Sequence, residues 1–480
     1  MSGAFAGPFD TVAQFAAATL VPSTNVVRTN GYYAAGDGGD ALYIKAGAPG
    51  AGPGKVQSAD GQWWVLSGND LNVIQFGADP TGAADSSAAF NNAIAFVEAL
   101  PYGGSIRAPR GDYKLNSTVG GTGNHVRLFG DGKRVTNLIY QQTTGTALSI
   151  GDVNGTSNPQ YWEVDNLSIS AASQMTQGQL LLVENGFDIS IHDITIDANV
   201  FWGITLNSGL NQFTYRLDSI DIFSGQVGVI VGVFGTVQDL WMSRMSIGNC
   251  TNAGIFLIDV SGFYFHEIDI LQCAIGLLAF PTVHYVRIGF MRNVLCDTCT
   301  SHGFKFSTNV QTPASDWAQV YDIEMVECWA SNNGFGNTSV HGFFFIGGNV
   351  AGAHSGISGV KMTNCISRGN GGDGVLVQNN ADKVTQVSAH NCTFTANGKN
   401  GFETAVGVTD FSVIGGFAGV AGFSGAGGAL ESGNAQYGVV VNVGASDRYV
   451  IQGVNAHGNT IGAIGDGGTG TNKSVTGNIT

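Results

Sequence analysis

The sequence predicts an all-β chain that winds as a β-solenoid, and three observations support that prediction. A glycine followed by alternating apolar residues recurs along the chain, mostly every 22 to 27 residues, from Gly203 to Gly438. A second alternating segment such as "FHEIDILQC" lies ahead of most of these glycines, and helical periodicity is absent. Cys250, Cys273 and Cys296 are separated by a constant 23 residues, as stacked small apolar residues would be. Units this small must stack as parallel strands to bury a continuous interior.

The elements ahead of the repeat follow from local signals. Residues 1–70 predict a small head, with a short helix at about 9–19 and strand-like pieces separated by a Gly-Asp-Gly-Gly turn. Residues 71–480 should carry the solenoid. Within it, about 86–99 predict an amphipathic helix with Asp85 as N-cap, which would plug the open end of the apolar core. Wider glycine intervals predict loop insertions at about 307–341 and 415–437.

Composition and charge exclude several classes of function. The net charge is −15 and the 20 Lys and Arg are scattered, which argues against binding nucleic acid or an anionic membrane. No apolar run reaches the length needed for membrane insertion. The first positive residue is Arg28, so no secretory signal peptide is expected and the chain should be made in a cytoplasm. The seven cysteines form no zinc pattern, so no metal or cofactor is expected, although a structural or catalytic calcium ion stays an open alternative.

Residues 72–115 carry a motif that identifies a family. In chain order it reads Phe76-Gly77-Ala78, the Asp-rich turn Asp79 to Asp85, the predicted helix, Gly103-Gly104 and Pro109-Arg110-Gly111-Asp112-Tyr113. This arrangement resembles the pectate-lyase-like superfamily of single-stranded right-handed parallel β-helices, and the head resembles those of phage tailspikes. The resemblance implies a homotrimer in the virion, with the head facing the phage tail or baseplate and the solenoid acting at the bacterial cell surface.

The resemblance also implies a function, with alternatives. A tailspike-like receptor-binding protein would bind and depolymerise a bacterial surface polysaccharide or exopolysaccharide, and a glycoside hydrolase is favoured over a lyase. The first alternative is a non-catalytic polysaccharide-binding adhesin or structural spike. The second is a bacterial pectate-lyase-like carbohydrate-active enzyme. The superfamily includes several activities, and this sequence lacks the Asn-Thr-Asp, Asp-Asp and Arg-Ile-Lys set of its polygalacturonase-like members.

Candidate catalytic residues surround the recurring glycine in the later coils. We expect the residue before the glycine, and the one two positions after it, to face solvent. In polygalacturonase-like members catalytic side chains precede this glycine, and His302, His341 and Asp373 resemble that column. Asp373 and Glu403 on neighbouring coils could supply the acid and base of glycoside cleavage, while His341 tunes a pKa.

Other interpretations of these residues stay open. A lyase could use His341 with Lys305 as base and cation. For substrate binding the predicted side chains are His302, Lys305, Phe344 and Trp317. The whole column is equally compatible with ordinary turn residues.

A second cluster is predicted on the preceding strands. Glu267, Asp269, Arg292 and Glu324 should fall on successive coils. Carboxylates stacked at about 4.8 Å would raise one another's pKa and so provide an acid and a base. An arginine between carboxylates is also typical of a structural ion pair.

Overall fold

The computed structural model describes most of the chain, in two compact units. The described residues are 4–68, 71–152, 157–197, 199–208, 213–282, 284–308, 318–349, 355–420 and 432–480. The units are Met1–Phe201 and Trp202–Thr480. Both predicted loop insertions lie partly outside the described residues. No helix within the described ranges has the length and apolar character needed to cross a membrane.

The first unit begins with a five-stranded sheet over the residues predicted to form the head. Its elements are β1 (Ala4–Phe9), α1 (Val12–Ala16), β2 (Thr24–Thr29), β3 (Ala41–Ala46), β4 (Lys55–Gln57) and β5 (Trp63–Ser67). β1 and β2 pair in parallel and the other pairs are antiparallel, in the order β1-β2-β3-β5-β4. Phe15, Tyr43 and Trp64 pack together and are buried. The predicted short helix is present, although it is shorter than expected.

The rest of the first unit is built from parallel strands and one longer helix. Its elements are β6 (Leu71–Asn72), a 3-10 helix (Val73–Phe76), β7 (Thr81–Asp85), α2 (Ser87–Glu98), β8 (Gly104–Ala108), β9 (Gly111–Leu115), β10 (Val119–Gly121), β11 (Val126–Gly130), β12 (Thr136–Tyr140), β13 (Thr146–Ile150), β14 (Glu163–Ala171), β15 (Gln179–Glu184) and β16 (Ile189–Asp197). Equivalent strands of successive coils pair in parallel, as β8 does with β11 and β11 with β14. The solenoid therefore starts at the predicted motif.

Helix α2 matches the predicted amphipathic helix, with one correction at its start. Its buried face includes Ala89, Phe90, Ala93, Ile94 and Val97, as the sequence predicts, and it packs against β8, β10 and the 3-10 helix. The N-cap position is Ser86, not Asp85. Asp85 instead lies one residue outside the helix, where Oδ1 accepts bonds from the backbone and the hydroxyl of Ser87. The role of α2 as a plug at the open end of the solenoid stays a prediction.

The second unit consists of parallel strands in three stacks. Its strands are β17 (Trp202–Asn207), β18 (Phe213–Asp218), β19 (Asp221–Val231), β20 (Val237–Leu257), β21 (Val260–Leu271), β22 (Ile275–Ala279), β23 (Tyr285–Asp297), β24 (His302–Ser307), β25 (Gln319–Val326), β26 (Trp329–Ser331), β27 (Phe343–Ile346), β28 (Gly356–Thr363), β29 (Ile366–Arg368), β30 (Val375–Gln378), β31 (Val387–His390), β32 (Thr393–Thr395), β33 (Phe402–Thr404), β34 (Thr409–Ile414), β35 (Tyr437–Gly444), β36 (Asp447–Gln452), β37 (Gly462–Gly468) and β38 (Lys473–Thr476).

Each stack has a fixed place in the coil. The glycine stack holds the strands after the recurring glycine: β17, the ends of β19 and β20, β22, β24, β27, β30, β33, β35 and β37. The second stack holds β18, the first parts of β20, β21 and β23, then β25, β28, β31, β34, β36 and β38. The short stack lies between them and includes β26, β29 and β32. Phe304 stacks on Phe343 in the interior, with ring centroids 4.7 Å apart.

The cysteines are free and buried, as predicted, but their alignment differs. Cys250, Cys273 and Cys299 each follow a residue with positive φ at the corner between the short and glycine stacks. Cys296 instead lies within the short stack, in register with Ile270. The constant 23-residue interval was therefore a misleading alignment, because β23 is offset from β21 by 26 residues, whereas β21 is offset from β20 by 23.

Candidate functional site

The residues before the recurring glycine are buried, which contradicts the prediction that they face solvent. His302 and His341 are buried, and Asp373 has no exposed surface at all. Each stands at the corner where the chain enters the glycine stack, so its side chain points along the stack instead of away from it. The column therefore has a structural explanation.

The buried column forms a ladder in which each side chain accepts a backbone hydrogen bond from the next coil. The bonds run from His341 N–H to His302 Nδ1 (3.1 Å), from Asp373 N–H to His341 Nδ1 (3.1 Å), from Asn400 N–H to Asp373 Oδ1 (3.0 Å) and from Tyr437 N–H to Asn400 Oδ1 (3.0 Å). An imidazole nitrogen can accept a bond only when it carries no proton. Burial, with the nearby charge of Lys305, lowers the pKa of His302 to about 3, which keeps its ring neutral.

Asp373 is surrounded by polar groups. Its Oδ1 also accepts a bond from the Asn400 side chain at 2.9 Å, and its Oδ2 lies 3.3 Å from Lys399 Nζ. Burial alone would raise the pKa of Asp373, but the hydrogen bonds to its carboxylate and the charge of Lys399 outweigh that effect and hold the pKa below its usual range. A carboxylate that is ionised and surrounded in this way organises its neighbours and has no free face for a substrate.

Glu403 lies beside this column and retains limited solvent access. Its side chain is 13% exposed, and Lys399 Nζ lies 3.3 Å from its Oε2. The Asn400 amide donates to the same oxygen at 2.6 Å, and Asn442 donates to Oε1 at 2.8 Å. The structure thus brings Asp373, His341 and Glu403 together as predicted, but every oxygen of Glu403 already has a partner.

The predicted substrate-binding residues are less accessible than expected. Phe344 is buried and packs against both His302 and His341, with ring centroids 4.9 and 5.0 Å away. Lys305 Nζ lies 5.8 Å from the Phe344 ring, and burial lowers its pKa. Trp317 lies outside the described residues.

The alternative carboxylate cluster is not assembled as predicted. Arg292 pairs with Glu327, with Nε 3.1 Å from Oε2. Asp269 lies in the short stack in register with Leu295, whereas Glu324 lies in the second stack. Glu267 occupies the bend between these stacks with φ 55°. Because the chain turns between them, the predicted stacking of like carboxylates does not occur.

Glu324 instead belongs to an outward column of the second stack that includes three aromatic residues. Trp241, Tyr264, Phe290, Glu324 and Lys361 are in register on successive coils. The Trp241 and Tyr264 rings stack with centroids 4.1 Å apart, and Trp241 is 46% exposed and Phe290 37% exposed. Exposed aromatic faces aligned along a strand stack are a typical binding surface for large ligands.

A cleft of about 310 Å³ lies where the aromatic part of this column meets its charged part. Its walls include Tyr264, Phe290, Asp322, Glu324 and Lys361. The three charged side chains make no ion pair with any residue that the structure describes. A Cβ on the facing Gly359 would approach Asp322 Oδ1 to 3.0 Å, so that glycine leaves room for the Asp322 carboxylate. Two unpaired carboxylates and an amine in one cleft can exchange protons with a bound ligand and hold its polar groups.

The sequence predicted Glu324 but missed its neighbours. Trp241, Tyr264 and Phe290 could have been found by aligning the segments before each bend on their buried Met242, Phe265 and Met291, which places the aromatic residues in one column. The same alignment places Lys361 in the column, because it directly precedes the buried Met362. Asp322 carries no comparable signal, because its bulge with positive φ changes the local alternation.

The fold is a parallel β-helix. Residues 71–278 match the family model described as rhamnogalacturonase A/epimerase, pectate lyase-like. A comparison with curated protein sequences found no match.

Solved structures with this fold include phage tailspikes. Tailspike protein 2 of the Escherichia coli O157:H7 bacteriophage CBA120 superposes with a TM-score of 0.59 at 12% identity, over 96% of this chain and 55% of that protein. Tailspike protein 3 of the same phage gives 0.57 at 15% identity, over 91% and 65%. Tailspike protein gp49 from the Acinetobacter baumannii bacteriophage Fri1, a capsular polysaccharide depolymerase, gives 0.52 at 13% identity, over 98% and 75%. The chain thus spans less than two thirds of the length of both CBA120 proteins.

Proposed function

We propose that this protein binds a bacterial surface polysaccharide or exopolysaccharide along the aromatic column of the second stack and hydrolyses it in the adjoining cleft. The observation that carries the proposal is the register of Trp241, Tyr264 and Phe290 with Glu324 and Lys361. Pyranose rings present C–H faces that pack against aromatic rings. A chain of sugars laid along this column would bring one glycosidic bond over the carboxylates.

Glu324 and Asp322 are the proposed catalytic pair. Glycoside hydrolysis needs one carboxyl to protonate the leaving oxygen and a second to activate water or attack the anomeric carbon. Water is consumed and a new reducing end forms. Lys361, in register with Glu324, would bind an oxygen or carboxylate of the sugar. This pair replaces Asp373 and Glu403 as the favoured assignment because its carboxylates are exposed and unpaired within the described residues.

The assembly and location of the protein are also proposals. We infer a homotrimer in a phage tail, with residues 1–70 as the docking head and the parallel strands from residue 71 onward facing the host. Support comes from the fold shared with phage tailspikes and from the predicted head. The polysaccharide substrate at the bacterial surface follows from the same interpretation.

Incubation with purified capsular polysaccharides and exopolysaccharides from a panel of bacteria tests the function. Hydrolysis predicts a fall in polymer size with new reducing ends and no absorbance near about 235 nm, whereas that absorbance would indicate elimination by a lyase. Binding to a glycan that is never shortened would favour the non-catalytic adhesin and would contradict the proposed hydrolysis.

A further inference from the structure

One position of the cleft wall has an unusual backbone conformation. Each coil of the second stack contains a bulge with positive φ just before its outward column. In consecutive coils these residues are Thr214 (φ 72°), Asp239 (51°), Gly262 (74°), Ile288 (53°), Asp322 (56°), Gly359 (67°), Gln386 (55°), Asp410 (59°) and Arg448 (53°). Glycine and aspartate tolerate this left-handed region, whereas a β-branched residue is strained there. Ile288 is the one aliphatic β-branched residue with positive φ within the described ranges.

The strain at Ile288 has no compensation from burial. Its side chain is 50% exposed, so folding returns little of the hydrophobic free energy that would offset the backbone cost. The side chain lines the cleft beside Phe290 and Tyr264. The repeat imposes this backbone conformation, and the neighbouring coils fill the position with Gly262 and Asp322. An exposed aliphatic side chain at such a position in the cleft wall indicates a contact with a ligand.

We propose that Ile288 sets the specificity of this cleft by contacting a methyl group of the glycan. The methyl belongs either to an O-acetyl substituent or to an alkali-stable group such as the C6 methyl of a deoxysugar. The apolar Ile288 and Phe290 side chains form one wall, and the charged Asp322, Glu324 and Lys361 form the other. A sugar with a methyl on one edge and hydroxyl groups on the other fits both walls. This inference rests on the proposed glycan binding and deepens it.

Three substitutions test the proposal against purified capsular polysaccharides, each used native and after mild alkaline removal of O-acetyl groups. Ile288→Asn introduces a side chain that tolerates positive φ, and we expect its melting temperature to rise by a few degrees while affinity for the bound glycan falls roughly tenfold. Ile288→Val keeps the branching and most of the apolar surface, so both values should stay near those of the wild type. Gln386→Asn changes the equivalent bulge outside the cleft and should leave affinity unchanged.

The outcomes separate this inference from the proposed function. If alkaline treatment of the glycan weakens wild-type binding and removes the difference in affinity between the wild type and Ile288→Asn, the methyl belongs to an O-acetyl group. If the difference survives alkali, the methyl is alkali-stable. If the wild type and Ile288→Asn bind every glycan with equal affinity, Ile288 does not set specificity, and the proposed glycan binding still stands. Failure of the wild type to bind any glycan would contradict both the proposed function and the role of Ile288. A lower melting temperature of Ile288→Asn would contradict backbone strain at Ile288.

Discussion

Single residues in the glycine stack explain why a catalytic pattern in the sequence can have a structural origin. His302, His341, Asp373 and Asn400 all accept the backbone N–H of the next coil, although their side chains differ. What they share is a short polar acceptor at a corner. The sequence predicted that this column is special, but it could not predict burial, because the corner rotates each side chain away from the alternation of the strand.

His302 provides a pH-dependent test of the ladder. Its pKa in the folded protein is about 3, below the unperturbed value of about 6.5. As the pH falls, His302 therefore takes up its proton in the unfolded chain before it does so in the folded protein. The contribution of a neutral His302 to the free energy of unfolding is present above about pH 6.5 and is lost as the pH falls toward 3. We expect a loss on the order of 5 kcal/mol over this window from His302 alone. In His302→Asn, which keeps an acceptor, the free energy of unfolding should depend less on pH there.

Chemical denaturation at several pH values between about 3 and 7 measures this difference. The control is His390→Asn, which changes an exposed histidine at the end of β31. It should retain the pH dependence of the wild type. Equal pH dependence of His302→Asn and the wild type would show that a neutral His302 ring does not stabilise the fold.

At the scale of the corner elements, asparagines form a second, interior ladder. Side-chain amides donate to the next coil from Asn333 to Asn370 (2.8 Å), from Asn370 to Asn397 (3.0 Å), from Asn397 to Asn434 (3.0 Å) and from Asn434 to Asn459 (2.9 Å). It continues the corner that Cys250, Cys273 and Cys299 occupy in earlier coils, and Asn333 Oδ1 accepts the Cys299 N–H at 2.9 Å. The same position is thus filled by thiols and then by amides.

Other asparagines in the repeat lie outside this ladder. Asn249, Asn364 and Asn391 adopt the left-handed conformation, with φ of 58°, 54° and 52°. They stand at corners without joining the amide ladder. Two corners per coil each accept such residues, so spacing alone could not assign an asparagine to one corner or the other.

Removing one amide should break the interior ladder. Asn397→Ala would leave the buried Asn370 backbone and side-chain donors without their Oδ1 acceptor, and it would also delete the bond to Ser367 O. We expect a loss of about 2–4 kcal/mol in the free energy of unfolding, measured by urea denaturation. Asn472→Ala, at an exposed site, is the matched control and should change stability by less than about 1 kcal/mol. A similar small change for Asn397→Ala would contradict a stabilising ladder.

At the scale of the whole molecule, the motif at residues 72–115 carried most of the prediction. It implied the parallel β-helix, and the repeat implied the stacking, because both depend on local periodicity. The binding column could not be predicted as readily. Its residues are 23 to 37 positions apart, and bulges and loops of different length shift the spacing from coil to coil.

The proposed assembly gives a prediction for the whole molecule. Light scattering should return three times the chain mass of 49.8 kDa, since closed rotational symmetry buries matching patches on every subunit. Phe234, Phe335 and Val443 are more than half exposed, and such apolar side chains are what a subunit contact would cover. A mass of one chain at micromolar concentration would contradict the trimer.

The central claim is that cleavage occurs at Glu324 in the second stack, and the rate of reducing-end formation by paired variants tests it most directly. Glu324→Gln preserves the shape of the side chain but cannot serve as acid or base, so we expect at least a hundredfold loss of rate with glycan affinity retained. Glu403→Gln, beside the buried ladder, should keep most of the wild-type rate. The opposite result, with activity lost in Glu403→Gln and kept in Glu324→Gln, would place the chemistry in the glycine stack and contradict the account.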